Sequence, residues 1–321
     1  MIIVTGGAGF IGSNIVKKLN ERGRNDILIV DDLTDGSKIR NLQMLDYYDY
    51  IDCLDFDEAV AENTFDAGSI EVIFHEGACS DTMEYDGRYI MKNNFEGSKN
   101  LFHYAQERRI PFIYASSAST YGGGKNGFRE EPACEEALNP YAYSKLFFDR
   151  YVRRFENVLE SQVVGLRYFN VYGPNENHKG KMASLVRQMY YKLKETGEIT
   201  LFEGIDGYGD GEQTRDFIYV DDVANVNFFF WEHPEISGIF NCGTGRSHTF
   251  NAFMQAIIDY AGEGKIRYVP FPEVLKGKYQ SFTQADTTNL LAVGYDRGFT
   301  EMPEAVRAYC ELLEYNEGYL R

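Results

Sequence analysis

The sequence is short of cysteine pairs, long hydrophobic runs and basic charge, and each shortage excludes a class of protein. Its five cysteines are scattered, odd in number and never spaced as Cys-x-x-Cys, which argues against a disulfide scaffold or a zinc ribbon. We therefore expect reduced thiols in a cytoplasmic protein. No apolar run is long enough to cross a bilayer, and no basic segment precedes an apolar stretch at the N-terminus, so we expect neither a membrane anchor nor a signal peptide.

Acidic residues outnumber basic residues by 49 to 32, which gives a formal net charge of −17. A surface this negative argues against broad binding to nucleic acid or to an anionic membrane, although a local basic pocket can still hold an anionic ligand. We predict no metal, because His75 follows a strand as a packed residue would and His103 stands alone in a helix. His178 and His233 have no acidic or cysteine partners at the spacing that metal sites use.

The most informative feature that is present is a glycine-rich turn at the N-terminus. Residues Thr5 to Ser13 read Thr-Gly-Gly-Ala-Gly-Phe-Ile-Gly-Ser and follow the apolar run Met1–Val4. Gly7 and Gly9 allow a tight turn close to a pyrophosphate, and Gly12 lets the following helix pack against the strand. The motif alone is weak, but its position between a strand and a helix favours dinucleotide binding over an ordinary glycine turn.

Short apolar strands alternate with amphipathic stretches through the first half of the chain. The predicted strands are Met1–Thr5, Ile27–Asp31, Val72–His75, Phe112–Ala115 and Val163–Arg167, and the predicted helices are Phe10–Arg22, Met91–Arg108 and Tyr143–Arg154. This alternation predicts an α/β fold, a doubly wound parallel sheet of the Rossmann type.

The pattern loosens after Gly173-Pro174, where we expect a smaller, mixed α/β substrate-binding lobe. The predicted helices of this second half are Lys181–Thr196, Val220–Trp231, Phe250–Tyr260 and Pro303–Tyr315, with a strand at Ile239–Asn241 and a surface loop at Gly204–Glu212; some of these pieces return to the main sheet. We assign 1–170, with 216–240 returning to it, to the dinucleotide-binding domain. The segments 171–215 and 241–321 form the lobe.

Asp31 ends the second predicted strand about twenty residues after the glycine turn, where an acid binds the adenosine ribose hydroxyls. Lys38 and Arg40 follow shortly and could instead hold a 2′-phosphate. Local chemistry therefore leaves the choice between NAD and NADP open.

Tyr141 and Lys145 form Tyr-x-x-x-Lys at the start of a helix, which places both on one face. A lysine ammonium near a phenol lowers the phenol pKa and can also hold a nicotinamide ribose, so that the phenolate can accept a proton from an alcohol. The serine-rich strand end Tyr114–Gly122 precedes this pair and supplies a hydroxyl that can bind the same oxygen. The three elements occur in the order and spacing that this chemistry needs.

Two later segments, Arg215–Val223 and Phe240–Gly245, extend the pattern along the chain. Together with the glycine turn and Tyr-x-x-x-Lys, they resemble the extended short-chain dehydrogenase/reductase superfamily of nucleotide-sugar enzymes. Narrower segments resemble the ADP-glyceromanno-heptose 6-epimerase family within it: His75–Ser80, Tyr168–Pro174, His178–Gly180 with Met182–Ser184, Leu201–Gly204 and Lys276–Asp286.

Enzymes of that family invert C6″ of ADP-D-glycero-D-manno-heptose with bound NADP, in bacterial lipopolysaccharide inner-core biosynthesis. The resemblance therefore implies an NADP-dependent isomerase, with NAD as the alternative, that takes an ADP-sugar as substrate. It also implies a homo-oligomer, for which a pentamer is one candidate. Tyr141 and Lys179 would be the acid/base pair, with Lys145 and Ser117 in support.

The glycine turn and the resemblance together define the expected binding residues. The predicted cofactor-binding residues are Gly6, Gly7, Gly9, Phe10, Ile11, Gly12, Asp31, Asp32, Lys38, Glu76, Gly77, Ala78, Cys79, Ser80, Asn93, Lys145, Val171 and Lys179. The predicted substrate-binding residues are Ser117, Asn170, Lys181, Gln188, Phe202, Glu203, Gly204, Arg215 and Tyr279.

Some positions depart from the family pattern. Cys53 stands where relatives can carry a lysine near the 2′-phosphate, and Lys181 and Gln188 replace smaller or imidazole side chains near the substrate. The loop Ile205–Thr214, which lies between two predicted substrate-contact segments and precedes Arg215, is longer than expected.

Three alternative functions follow from the same motifs. Another nucleotide-sugar epimerase, for example one acting at C4 of a UDP-hexose, is the nearest. A 4,6-dehydratase fits less well, because Ala118 and Ser119 occupy the sites where that reaction needs an Asp-Glu pair. A non-catalytic NADP-binding regulatory subunit has no need of the Tyr141–Lys145 pair.

Overall fold

Seven parallel strands form the main sheet of the protein in the computed structural model, which describes residues 1–66, 68–273, 276 and 279–321. The strand order is β11-β6-β5-β4-β1-β2-β3, and every neighbouring pair runs parallel. The strands of the sheet are Ile2–Thr5 (β1), Ile27–Asp31 (β2), Asp49–Asp52 (β3), Val72–His75 (β4), Phe112–Ser117 (β5), Val163–Tyr168 (β6) and Gly238–Cys242 (β11). The predicted doubly wound α/β fold is confirmed.

Helices cover both faces of this sheet, which is why β1 and β2 are continuous hydrophobic runs rather than alternating ones. The α-helices are Phe10–Glu21 (α1), Ile39–Leu42 (α2), Cys53–Ala61 (α3), Gly87–Ile90 (α4), Gly97–Glu107 (α5), Pro140–Arg153 (α6), Leu185–Thr196 (α7), Val220–Glu232 (α8), Phe250–Ala261 (α9), Thr288–Ala292 (α10) and Met302–Asn316 (α11). The strand order reverses between β1 and β4, and ligands of such folds bind at that point, outside the carboxyl ends of the strands.

Shorter strands lie beside the main sheet. Asn170–Tyr172 (β7) pairs with Phe217–Tyr219 (β10), Glu198–Phe202 (β8) with Lys265–Val269 (β13), and Thr214–Arg215 (β9) with His248–Thr249 (β12). A second hydrophobic cluster packs α7, α9 and α11 together with β8, separately from the two clusters on the main sheet. The exact division of the chain into two lobes stays a prediction.

Three predicted helix boundaries were wrong for identifiable reasons. Helix α6 begins at Pro140, because the Asn139 side chain accepts a hydrogen bond from the Ala142 N–H and caps it. The predicted helix Met91–Arg108 begins with a π-helical turn over Met91–Glu96. Helix α7 begins only at Leu185, so Lys181 lies in a preceding 3₁₀ turn.

The aromatic side chains Phe228, Phe229 and Phe230 of α8 are buried in the main hydrophobic cluster. None of the helices that the structure describes is long and apolar enough to span a membrane. The predicted motif Lys276–Asp286 lies partly outside the described residues, at Gly277 and Lys278.

Candidate active site

One cavity of about 1240 Å³ runs along the carboxyl ends of the main-sheet strands and continues beneath α7 and β8. It is larger than the roughly 300–1,000 Å³ of a typical single-ligand site, so it has room for two ligands side by side. The predicted residues in its wall are Gly6, Gly9, Phe10, Ile11, Gly12, Asp31, Asp32, Lys38, Glu76, Gly77, Ala78, Cys79, Ser80, Asn93, Ser117, Tyr141, Lys145, Asn170, Val171, Lys179, Gln188, Phe202, Arg215 and Tyr279.

Four predicted residues are not in the cavity wall. Gly7 faces Ile29 of β2, so it shapes the turn without meeting the cavity. Lys181 is exposed, because Gly180 takes a φ of 52° and breaks the 3₁₀ turn before it. Glu203 and Gly204 are also exposed, and the Gly204 N–H donates to Asp210 in the surface loop. The predictions of substrate contact by Lys181, Glu203 and Gly204 therefore have no support from their positions.

The backbone of the glycine turn is packed too closely for side chains at two of its positions. A Cβ on Gly12 would lie 2.1 Å from the Gly6 carbonyl oxygen, and one on Gly6 would lie 2.7 Å from the Gly77 nitrogen. Helix α1 begins after Gly9 with no side-chain cap and no acidic residue in its first turn, so its first N–H groups face the cavity unneutralised. These donors suit an anion, and the turn therefore fits the pyrophosphate of a dinucleotide.

Replacing Gly12 with alanine should weaken dinucleotide binding by roughly tenfold to a hundredfold, because forcing a methyl group against backbone costs about 1–3 kcal/mol. Isothermal titration with NADP and with NAD measures this loss. Gly87→Ala is the matched control, since a Cβ there meets no atom within 4 Å. Equal affinities in Gly12→Ala and the wild type would remove the turn from the binding site.

Asp31 lies at the end of β2 with both carboxylate oxygens engaged. Its Oδ2 accepts from the Ala8 N–H at 2.8 Å, and its Oδ1 accepts from Lys38 Nζ at 2.9 Å. Lys38 also donates to the Asp32 carbonyl. Nearby, burial raises the pKa of Cys53 to about 11, and Asp52, Asp57, Asp32 and Asp31 add to the shift. The end of the cavity next to β2, where the adenosine ribose is expected to bind, thus combines one lysine with several carboxylates.

Ser117, Tyr141 and Lys145 meet in the cavity wall as predicted. Burial raises the pKa of Tyr141, and a hydrogen bond with Ser117 partly lowers it. The Lys145 ammonium instead donates to the Ala115 carbonyl on β5 at 2.8 Å, and burial lowers its pKa to about 8. The strand therefore holds the Lys145 ammonium, and its lowering of the phenol pKa stays a prediction.

The buried Asp149 carboxylate holds α6 against β5, the strand that carries Ser117, and against its neighbour β6. Asp149, one turn beyond Lys145, accepts from Ser116 of β5 at 2.9 Å and from the Arg167 guanidinium of β6 at 2.9 Å. Tyr114 donates to its other oxygen at 3.0 Å. These contacts fix α6 in register with β5 and so fix the Tyr141–Ser117 pair.

Lys179 enters the cavity from a turn that several distant residues hold in place. Its Nζ lies 5.2 Å from the centre of the Phe10 ring, at the start of α1, and burial lowers its pKa. Glu176, three residues earlier, accepts from Ser184 and from Tyr309 of α11. Asn175 links the same turn to Ser13 of α1. Lys179 therefore faces the glycine turn.

Three residues of the site were missed by sequence reasoning, two in the cavity wall and one behind it. Asn94 is buried in the π-helical turn behind the wall, and its side chain bonds both the N–H and the carbonyl of Cys79, which holds the 76–80 loop. Lys192 of α7 lines the cavity and donates to Thr200 of β8. His178 also lines it, next to Lys38. Asn94 carried a signal as a second asparagine beside the predicted Asn93, and His178 carried one as the first residue of the segment His178–Gly180.

Arg215 and Lys192 are the cations of the cavity beneath α7 and β8. Arg215 is buried, lies 4.9 Å from the Tyr279 ring centre, and donates to the Thr214 carbonyl. Within the described part of the chain, neither cation pairs with a carboxylate. A site with two cations and aromatic walls suits a nucleotide diphosphate.

A family model described as the NAD dependent epimerase/dehydratase family matches residues 2–243 of the chain. The chain belongs to that family. A curated ADP-L-glycero-D-manno-heptose-6-epimerase from Alkalilimnicola ehrlichii is 56% identical over 317 residues, covering 97% of each chain. One of the same name from Brachyspira hyodysenteriae is 51% identical over the full length of both.

Solved structures agree with these family relatives. The ADP-L-glycero-D-manno-heptose-6-epimerase of Helicobacter pylori superposes with a TM-score of 0.84 at 28% identity, covering 98% of this chain and 96% of that one. A UDP-glucose 4-epimerase of Thermus thermophilus, solved with NAD, gives 0.78 at 27% identity, covering 98% and 99%. The resemblance to heptose 6-epimerases inferred from sequence is confirmed.

Proposed function

We propose that this protein inverts C6″ of ADP-D-glycero-D-manno-heptose to give ADP-L-glycero-D-manno-heptose, using a bound nicotinamide dinucleotide. The observation that supports this proposal most directly is that one cavity joins the glycine turn to Ser117, Tyr141 and Lys145. In the same cavity Lys179 lies against the Phe10 ring. Relatives at 51% and 56% identity over almost the whole chain bear the name of this activity. The product would serve lipopolysaccharide inner-core biosynthesis.

The proposed chemistry follows from the carbon whose configuration is inverted. C6″ is a secondary alcohol carbon beside no carbonyl, so its C–H bond is not acidic and inversion needs transient oxidation. A nicotinamide dinucleotide, when bound, supplies the reversible removal and return of hydride. Tyr141 exchanges a proton with the sugar hydroxyl at its phenolic oxygen, and Ser117 holds that oxygen through its hydroxyl. Lys145, fixed by Ala115, places a positive charge beside them.

A second proton-handling residue is needed because the part of the sugar that carries C6″ must rotate before hydride returns to the other face of the ketone. The oxygen then points away from Tyr141. Lys179 fits this role because it lies on the turn facing α1, and burial lowers the pKa of its ammonium toward values where it can give up a proton. The Glu176 carboxylate opposes that shift of the Lys179 pKa.

The dinucleotide is proposed to be NADP, with NAD as the alternative. Lys38 is the cation beside the ribose position, but it is already bonded to Asp31 at 2.9 Å and Cys53 adds no second charge. Charge-assisted hydrogen bonds contribute about 1.5–3 kcal/mol, so a single shared lysine supports a preference near the lower end of roughly tenfold to a hundredfold.

We expect mass spectrometry of cofactor released from freshly purified protein to find NADP. Lys38→Met should weaken NADP binding by about tenfold and change NAD binding little, because the lost charge faces the 2′-phosphate. Lys17→Met is the control, since Lys17 pairs with Glu21 on the exposed side of α1. Finding NAD alone in the purified protein would overturn the choice of NADP.

The decisive test of the activity is incubation with synthetic ADP-D-glycero-D-manno-heptose followed by separation of the C6″ epimers. An equilibrating mixture of the two epimers is expected. UDP-glucose and UDP-galactose, run in parallel, test the 4-epimerase alternative that the 4-epimerase neighbours suggest. Dinucleotide binding without turnover of any sugar nucleotide would point to a regulatory subunit.

The homo-oligomer and the cytoplasmic location stay predictions. Light scattering of the purified protein measures the oligomeric state.

A further inference from the structure

Asn175 joins the turn that carries Lys179 to three other parts of the fold. It is fully buried, and its backbone takes a left-handed φ of 71°, which asparagine adopts more readily than most residues. Its Nδ2 donates to Ser13 Oγ of α1 at 2.9 Å, and its Oδ1 accepts from the Leu320 N–H at 3.1 Å. Its backbone carbonyl accepts from Asn41 Nδ2 of α2 at 3.2 Å. Asn175 is therefore a junction of α1, α2 and the segment after α11.

The first turn of α1 contacts both ends of the turn that carries Lys179. The Ser13 hydroxyl accepts from Asn175 and donates to the Phe10 carbonyl at 3.1 Å. The Phe10 ring, three residues before Ser13, lies 5.2 Å from Lys179 Nζ. A closed path of contacts thus runs from Asn175 through Ser13 and Phe10 to Lys179, and back along the chain.

The other side of the same turn is held by the second half of the chain. The Lys179 N–H donates to the Glu176 carbonyl at 3.0 Å, and the Glu176 carboxylate accepts from the Ser184 N–H and from the Tyr309 hydroxyl. These contacts fix the turn against α7 and α11, whereas the Asn175 side chain fixes it against α1. Helix α1 follows the glycine turn, so Asn175 ties Lys179 to the part of the cavity that suits a dinucleotide.

We propose that Asn175 is a positioning residue: it holds the turn that carries Lys179 against α1 and so sets the place of the Lys179 ammonium over the Phe10 ring. This rests on the proposed function, in which Lys179 is the second proton-handling residue. Asn14 of α1 supports the same contact, because its Nδ2 donates to the Pro174 carbonyl at 3.0 Å. Misplacing a reacting group by about 1 Å can cost on the order of a hundredfold in rate, so the bond at the base of this turn bears on turnover.

The test replaces Asn175 with glycine, which removes the side chain and keeps the left-handed backbone unstrained. The Lys179 side chain is followed by NMR of full-length protein labelled with ¹³C at the lysine Cε, without added ligands. Its signal is assigned by its disappearance in Lys179→Met. Because an aromatic ring shifts the signals of protons that lie over it, Phe10→Leu gives the position of the Lys179 signal without that ring. In Asn175→Gly we expect the signal to move from the wild-type position toward the Phe10→Leu position.

Asn63→Gly is the matched control. Asn63 also has a left-handed backbone, with a φ of 59°, but it is exposed just after α3 and its side chain bonds Arg108. The Lys179 signal of this variant should stay at the wild-type position, and its epimerisation rate should equal that of the wild type.

The enzymatic readout is the epimerisation of ADP-D-glycero-D-manno-heptose. In Asn175→Gly kcat should fall by roughly tenfold to a hundredfold. KM and dinucleotide affinity should change little, because Asn175 lies behind the cavity wall rather than in it. A purely structural role would lower the melting temperature without moving either the Lys179 signal or kcat.

Ser13→Ala tests the same link from α1 and decides the matter should Asn175→Gly not fold. It removes the acceptor of Asn175 Nδ2, so the Lys179 signal should move in the same direction. An unmoved signal in the folded variant, or an unchanged kcat in an active enzyme, would overturn the proposal. The NMR measurement needs no ADP-sugar. A moved signal in a protein that does not epimerise the heptose would therefore uphold the link between Asn175 and Lys179 while rejecting the proposed function.

Discussion

Replacing Tyr141 with phenylalanine is expected to slow epimerisation by about a hundredfold or more, the loss typical of removing general acid/base catalysis. The phenylalanine ring keeps the shape of the cavity wall, so binding of the dinucleotide and of the ADP-sugar should change little. The structure explains why no neighbour replaces the phenol. Ser117 is already held by the Ser119 hydroxyl at 2.9 Å, and Lys145 by the Ala115 carbonyl.

Epimer separation measures the rate and isothermal titration measures binding. Tyr143→Phe is the matched control, because Tyr143 is a tyrosine on the same helix that is 47% exposed and stacks on Phe147 outside the cavity. It should epimerise at the wild-type rate. A Tyr141→Phe enzyme with near-normal turnover would remove Tyr141 from the acid/base role.

Local patterns sufficed for the parts of the fold and site that depend on near neighbours in sequence. The strands β1, β2 and β4 are continuous apolar runs, and the glycine turn after β1 lies where the motif predicts. Strand β3 was missed because its sequence Asp-Tyr-Ile-Asp is polar at both ends, as an edge strand can be. Its place in the sheet comes from pairing with β2.

Contacts between residues far apart in sequence could not be predicted. The Glu76–Tyr168 bond spans 92 residues and the Glu176–Tyr309 bond spans 133, so neither has a local signature. The same holds for Lys145, whose predicted effect on the phenol depended on spacing alone, whereas its ammonium bonds a strand 30 residues earlier. The sequence could not show that Lys181, Glu203 and Gly204 lie outside the cavity wall, because single backbone turns decide which way a loop residue faces.

Replacing Lys179 with methionine is expected to block epimerisation of the natural substrate while leaving one half-reaction intact. In the proposed scheme Tyr141 serves one orientation of the C6″ oxygen and Lys179 the other, so loss of either group stops inversion, which needs both. The position of Lys179 against Phe10, on the turn that Glu176 ties to α11, gives this lysine a place in the cavity that an ordinary loop lysine lacks.

A dismutation assay separates the half-reactions from inversion. Two molecules of an ADP-mannose analogue with an aldehyde at C6″, together with one water, give one alcohol and one acid, without turning the side chain between faces. Lys179→Met and Tyr141→Phe should each retain part of this activity while failing to epimerise the heptose. Lys181→Met is the matched control: it lies two residues further along the same turn, is exposed, and is absent from the cavity wall. If Lys179→Met epimerises as fast as Lys181→Met, inversion requires no second proton carrier. Tyr141 alone must then serve both orientations of the C6″ oxygen.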